Sequence, residues 1–387
     1  MRALYFWPLF LIVSCSPKNE QEFQRTLNPN DFSRLEARVV QNYSELVLLS
    51  YQEALKSVKS LNQALKSFVA APSEELFGQA KEAWSKARKT YALTEAFRFY
   101  GGPIDSERRG LEIYLNARPI EESFVDYVQG QASSGIINQI DLYSEISKNL
   151  LVSIHQKDGD QNVSTGFRVI EFLLWGQDLN PDGPGQRLYT DYVLEVTPTA
   201  TRRAEYLLAA GALIEEHLNM LVEEWSIQDD NFRTLFLRQS AQSALSKIMA
   251  GLRGLLKNEL YANRIGLFFE TKSEKLDVAR FSDSSLEEHL WNMRGAENVY
   301  LGRFDRLDGP GISHLVAIER PSLDIEIKNQ FDLAKRALQR ITTGFDQAVV
   351  NEELRPLVKD VLDHLEALSK NLDQASELLK LSFVSPD

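Results

Sequence analysis

Gly166-Phe167-Arg168-Val169-Ile170-Glu171-Phe172-Leu173-Leu174-Trp175-Gly176 is the stretch that decides the fold. Between the outer glycines, two charged residues sit among seven apolar ones. Such a segment reads as a helix that lies inside a larger body. It carries Glu171 inward, and an unpaired buried carboxylate is costly unless it takes up a proton or finds a partner. Arg168 lies one turn earlier on the same helical face. The Pro/Gly-rich loop Asn180-Pro181-Asp182-Gly183-Pro184-Gly185-Gln186 follows and is expected to cap this site or close a crevice over it.

The same helical periodicity extends in both directions. Tyr51, Leu55, Val58, Leu61, Leu65 and Phe68 recur at steps of three and four. Pro72 ends that helix, and Ser73 is placed to cap the next, with Glu74 and Glu75 in its first turn. A stripe through Leu76, Ala80, Ala83, Trp84 and Ala87 follows. A long helix is expected from Thr199 to Trp225, with Leu207, Ile214, Leu218, Leu221 and Trp225 inward. Another carries Leu354, Leu357, Val361, Leu365, Leu368, Leu372, Ala375 and Leu379 on one face. No extended alternation of period two occurs, so the chain reads as all-α.

The chain has 387 residues and a net charge of -12, with 43% hydrophobic and 25% charged residues. That composition describes a globular protein with a sizeable core. The acidic balance, without a basic stripe, excludes nucleic acid as a partner. No His-Glu-x-x-His helix, Gly-x-Ser-x-Gly elbow, phosphate loop or Cys-x-x-Cys pair is present. His155, His217, His289, His314 and His364 are scattered. Asp360 and His364 share a helix face, where surface pairing explains them.

Residues 1–15 read as a secretory leader, with Arg2 before the apolar run Ala3–Val13. The run ends in Ile12-Val13-Ser14-Cys15, which resembles a bacterial lipobox, so Cys15 is the expected lipidation site. It is the only cysteine, which rules out an intramolecular disulfide. Residues 16–30 are polar and read as a tether. The expected location is the bacterial envelope, lipid-anchored at the outer membrane and facing the periplasm.

Three segments carry a family resemblance. Gly166–Glu171 is similar to the Gly-x-His-x-x-Glu motif of the imelysin family of insulin-cleaving and iron-regulated bacterial lipoproteins, with Arg168 at the histidine position. Tyr91-Ala92-Leu93-Thr94-Glu95-Ala96-Phe97-Arg98-Phe99-Tyr100-Gly101-Gly102-Pro103-Ile104-Asp105 resembles that family's first signature, and Asn298-Val299-Tyr300-Leu301-Gly302-Arg303-Phe304 its last. A further segment, Lys275–Leu286, keeps Asp277, Phe281, Ser282 and Asp283 but has Val278 and Leu286 where the family has histidines. The resemblance implies two related helical bundles packed side by side, here assigned to residues 31–193 and 194–387. A faint echo of Arg168–Leu174 in Arg109–Leu115 agrees with an internal repeat.

The resemblance also implies a crevice site, for which the candidates are Arg168, Glu171, Asp277, Asp283, Glu95, Arg98 and Asp105. A His and a Glu three residues apart can grip one metal ion. Arginine stays protonated and offers no lone pair. No catalytic residue and no cofactor are therefore expected. Arg168 either recognises an anionic ligand or pairs internally with Glu171, and Asp277 and Asp283 could meet it from the other bundle. Asp283 has an alternative role as a helix cap. The function expected is that of a non-catalytic envelope lipoprotein binding a small-molecule or peptide ligand, or a protein partner, in iron uptake. The alternatives are a metallopeptidase holding iron or zinc through Glu171, Asp277 and Asp283, and a scaffold for envelope proteins.

Overall fold

The spine of the molecule is a helix of 42 residues, α1 (Pro29–Ala70). Its inward stripe, from Tyr51 to Phe68, is buried as the spacing requires. The computed structural model describes residues 29–106 and 110–382. The leader, Cys15, all but the last two residues of the tether, and Arg109 of the internal echo lie outside the described residues. Helix α1 opens at Pro29, inside the stretch read as tether. Proline suits this place because its missing N–H has no helical partner to lose.

Helix α2 (Glu74–Ala92) follows a short break, and the Ser73 side chain accepts from the Leu76 N–H, as the sequence predicted. Ala80, Trp84 and Ala87 are buried against α1. Helix α3 (Phe167–Trp175) is buried along its whole length. Burying each of Phe167, Phe172 and Trp175 contributes about 1.5–3 kcal/mol, which is why so short a helix holds its place. Gly166 caps it at φ +96°, and a Cβ there would sit 2.7 Å from the Leu115 carbonyl oxygen. Glycine therefore lets α3 start against the Tyr114–Leu115 backbone.

Helix α4 (Ala200–Trp225) matches the expected span and buries Leu207, Ile214, Leu218, Leu221 and Trp225. It packs on α1 and α3 and also touches the short helix Phe232–Arg238, so its contacts lie on both sides of the boundary placed near residue 194. Helix α5 (Ala241–Arg253) runs directly into a π-helical segment, Gly254–Gly266. Helices α6 (Ser285–Leu301), α7 (Pro321–Gln339) and α8 (Arg355–Leu378) complete the body. Helices α7 and α8 pair with each other, α8 lies on the π-helical segment, and α6 touches α2 and α7. The protein is all-α. Among the described residues, strand structure is limited to a two-residue antiparallel ladder, Arg303–Phe304 with Leu307–Asp308, and one isolated bridge. No helix of the described residues is long and apolar enough to cross a membrane.

Candidate functional site

Helix α3 meets α2 and α6 inside the protein, and the charged residues of all three converge there. Trp84 of α2 donates to the Phe167 carbonyl at 3.0 Å, fixing α2 against the start of α3. On the other side Gly295 brings α6 onto the first signature; a Cβ there would lie 2.4 Å from the Leu93 carbonyl oxygen. Asn292 of α6 donates to Ala92 O at 2.9 Å. These contacts set Glu288 opposite Arg168.

Arg168 is the centre of the cluster. Its Nη1 donates to Glu171 at 2.9 Å, and its Nη2 donates to both oxygens of Glu288 at 2.5 and 2.6 Å. Arg88 grips the same Glu288 at 2.5 and 2.9 Å and reaches Glu95 at 3.0 Å. Arg264, carried by the π-helical segment, donates to Glu95, to Asn292 at 2.8 Å and to Glu259 at 3.0 Å. Arg118 meets Glu259 at 2.7 Å, and Arg98 meets Glu112 at 3.0 Å. Arg88, Arg168, Arg264, Glu95, Glu171 and Glu288 are all at most 3% exposed. At this core three arginines face three glutamates, so the buried charge balances.

The electrostatics follow from that pairing. Burial disfavours the Glu288 carboxylate, yet Arg168 and Arg88 hold its pKa well below the usual range. Glu95 is lowered in the same way by Arg264 and Arg88 against its burial. Glu259 falls to about 2, because Arg264, Arg118 and Arg98 outweigh desolvation. Glu171 goes the other way, since burial outweighs its single arginine. Its Oε1 accepts from the Ser282 N–H at 3.0 Å and the Ser282 hydroxyl at 2.7 Å. Burial and the neighbouring Arg264 bring Arg118 down to about 10. His289, one residue past Glu288, is lowered by burial to about 3 and is neutral, stacked edge-on against Phe345 at 4.8 Å.

Of the sequence candidates, Arg168, Glu171, Glu95 and Arg98 belong to this network. Asp105 does not: it accepts from the Phe99 N–H, and from Gly102 N–H at 2.8 Å, closing the Gly101-Gly102-Pro103 turn. Asp277 and Asp283 were open to meeting Arg168 from the other bundle, and among the described residues neither pairs with it. The segment holding them presents Ser282 to Glu171 instead, and Glu288 takes the place opposite Arg168. Nor does Asp283 cap α6, whose N-cap residue is Ser284; Asp283 sits at φ +53° in the preceding turn. Val278 is buried and Leu286 packs on the core, as apolar side chains would.

Asp277, Asp283 and Asp346 form a separate acidic edge. Burial, with Asp346 and Glu171 nearby, raises Asp277 to about 7 against a Ser285 hydrogen bond. Burial and Asp346, Asp178 and Glu287 raise Asp283 to about 6. One carboxylate oxygen of Asp277 and one of Asp346 have no hydrogen-bond partner. The loop 180–186 docks on this segment, Gly185 N–H donating to Phe281 O at 2.9 Å and Gln347 to Pro181 O at 3.0 Å. Asp360 and His364 are 3.7 Å apart on the surface of α8, where Asp360 also pairs with Arg340.

The donor set does not suit the metal that the motif implies. Arg168 fills the histidine position with a cation, and both oxygens of Glu288 and Glu171 already accept bonds from Arg or Ser282. Among the described residues, no three His, Cys, Asp or Glu side chains come together to hold a metal ion.

Comparison with known proteins gives the family and the fold. The family profile described as imelysin matches residues 47–372. The chain is 23% identical over 340 residues to iron-regulated protein A of Synechococcus elongatus, covering 85% of this chain and 82% of that protein. It resembles the crystal structure of a protein described as an iron-regulated protein A precursor from Parabacteroides distasonis. The TM-score is 0.71 at 18% identity, over 90% of this chain and 95% of that one.

Proposed function

The chain belongs to the imelysin family, and from that premise we propose that it works by binding rather than by hydrolysis, as an envelope lipoprotein of bacterial iron uptake. The observation that carries this reading is the seat of Arg168 between Glu171 and Glu288, 2.9 and 2.5 Å away. Peptide hydrolysis by this family's route needs an activated water, an electrophile and a base. A guanidinium has no lone pair for a metal and does not give up its proton. Here it supplies the positive charge that the neighbouring acids require, and it locks α2, α3 and α6 together. The iron link comes from the names of the two relatives. The lipid anchor rests on the sequence around Cys15.

A metallopeptidase with rearranged ligands remains the second reading, and one observation favours it: the unpartnered carboxylate oxygens of Asp277 and Asp346. The test is incubation of the purified protein with an unfolded polypeptide such as oxidised insulin B chain, with and without added zinc or iron. No cleavage is expected in either condition. Cleavage that both a chelator and Asp277→Asn abolish would overturn the binding-only reading.

A further inference from the structure

A groove of about 1050 Å³ opens between α1, α2, α6 and α7, and none of the buried arginines lines it. Two of its lysines are spent on internal pairs. Lys335 meets Glu297 at 2.6 Å and Asp332 at 3.1 Å, and Lys56 meets Glu53 at 3.2 Å. Lys89, Arg294 and Arg336 remain. They come from three different helices, are exposed, and make no ion pair among the described residues. Asp305 is the one acid of the lining left unpaired among the described residues. The lining holds five cations and four acids, a net of +1, and three of the cations are left without an ion pair among the described residues, in a chain whose net charge is -12.

Isolated surface cations are ordinarily solvated, and Lys89, in the last turn of α2, also offsets that helix's dipole. Arg294 stands in the middle of α6 and has no such role. The convergence of the three cations on one concavity distinguishes them from scattered charges. The rest of the lining is equally informative. Leu49, Leu93 and Phe304 are half-buried and give it apolar surface, while Gln52, Asn298 and Gln339 add amides that both donate and accept. Asn298 and Phe304 belong to the last signature segment, which contributes nothing to the arginine cluster. Arginine prefers planar, bidentate acceptors such as carboxylates. An apolar wall suits a carbon-rich body between them.

We infer that this groove binds a polycarboxylate, a ligand carrying two or more carboxylates on a carbon-rich body, whether a free polyacid or the acidic stretch of a peptide. The site does not depend on the reading of the buried cluster. The test uses purified protein at low ionic strength, where surface electrostatics are least screened. A fluorescein-labelled hexaglutamate peptide is titrated by anisotropy, citrate binding is measured calorimetrically, and a labelled hexalysine peptide serves as the sign control. Saturable binding of hexaglutamate, citrate or both is expected, and which of them binds identifies the source. Arg294→Glu and Arg336→Glu should each weaken it about tenfold, since each reverses a charge close to the ligand. Lys66→Glu makes the same change in net charge on α1 outside the groove and should alter affinity by less than about twofold. Circular dichroism melts confirm that these surface variants are folded. Absence of binding to either acid, hexalysine binding as tightly as hexaglutamate, or equal weakening by Lys66→Glu would each overturn the inference.

Discussion

Replacing Arg168 with alanine is the perturbation on which the structure speaks most directly. Among the described residues, the change removes the only arginine bonded to Glu171 and one of two arginines that hydrogen-bond Glu288. Glu288 keeps Arg88 at 2.5 and 2.9 Å, so most of the loss falls on Glu171, which retains only Ser282. Breaking a buried pair from one side typically costs about 3–5 kcal/mol. For a chain of this size that corresponds to a fall in melting temperature of roughly 4–7 °C at neutral pH. The pH dependence has a definite sign. Burial already raises the pKa of Glu171 in the parent, and loss of its arginine raises it further. An acid whose folded pKa is raised destabilises the fold where it must stay ionised, and the penalty fades as pH falls and the carboxyl protonates. The gap between variant and parent should therefore narrow from pH 7 to pH 5. Glu171→Gln in the Arg168→Ala background should recover part of the loss, because it removes the stranded charge. Thermal melts by circular dichroism read all three. A variant melting within about 1 °C of the parent at pH 7 would refute the ion-pair account and make Arg168 dispensable to the core.

Three further outcomes follow from other parts of the molecule. Asp277 has a pKa of about 7 in the fold against 3.8 ordinarily, so the native state holds a proton that the unfolded chain lacks between those values. Stability should fall as pH rises through that window, and Asp277→Asn should remove up to about 4 kcal/mol of the decline; denaturant curves that give parent and variant the same change in unfolding free energy between pH 4 and pH 8 would contradict this. Gly295→Ala places a methyl group 2.4 Å from a backbone oxygen, so it should destabilise by about 1–3 kcal/mol, measured by the urea midpoint. Cys15→Ala should release the protein from washed membranes; unchanged retention after carbonate extraction would count against lipidation.

The helices were legible because their apolar spacing is local information. Tyr51 to Phe68, Ser73 as a cap, and the span ending at Trp225 could be read without any knowledge of partners, and so could the i,i+3 pairing of Arg168 with Glu171. The rest of the cluster depends on contacts distant in sequence. Glu288 looked like an ordinary first-turn acid of α6, since such acids are normally solvated at helix starts. Nothing near it announces that α6 begins inside the protein. Arg88 did leave a signal: it stands one residue past Ala87 on an otherwise apolar stripe and one turn after Trp84. Arg264 left none, because its inward position depends on the π-helical segment, which no residue pattern marked. The choice between the two roles open to Asp277 and Asp283 was hidden for a similar reason. Their distance from Arg168 is set by a turn with Asp283 at φ +53°, a conformation open to Asp but not demanded by it.

In this protein a guanidinium, that of Arg168, occupies the cation position of the motif. Metal analysis of the purified protein after dialysis against zinc and against iron, beside Arg168→His treated identically, tests it most directly. The parent should retain no stoichiometric metal, while Arg168→His, which restores the Gly-x-His-x-x-Glu spacing, should gain affinity. One equivalent of metal held reproducibly by the parent, and lost on Glu171→Ala, would contradict it.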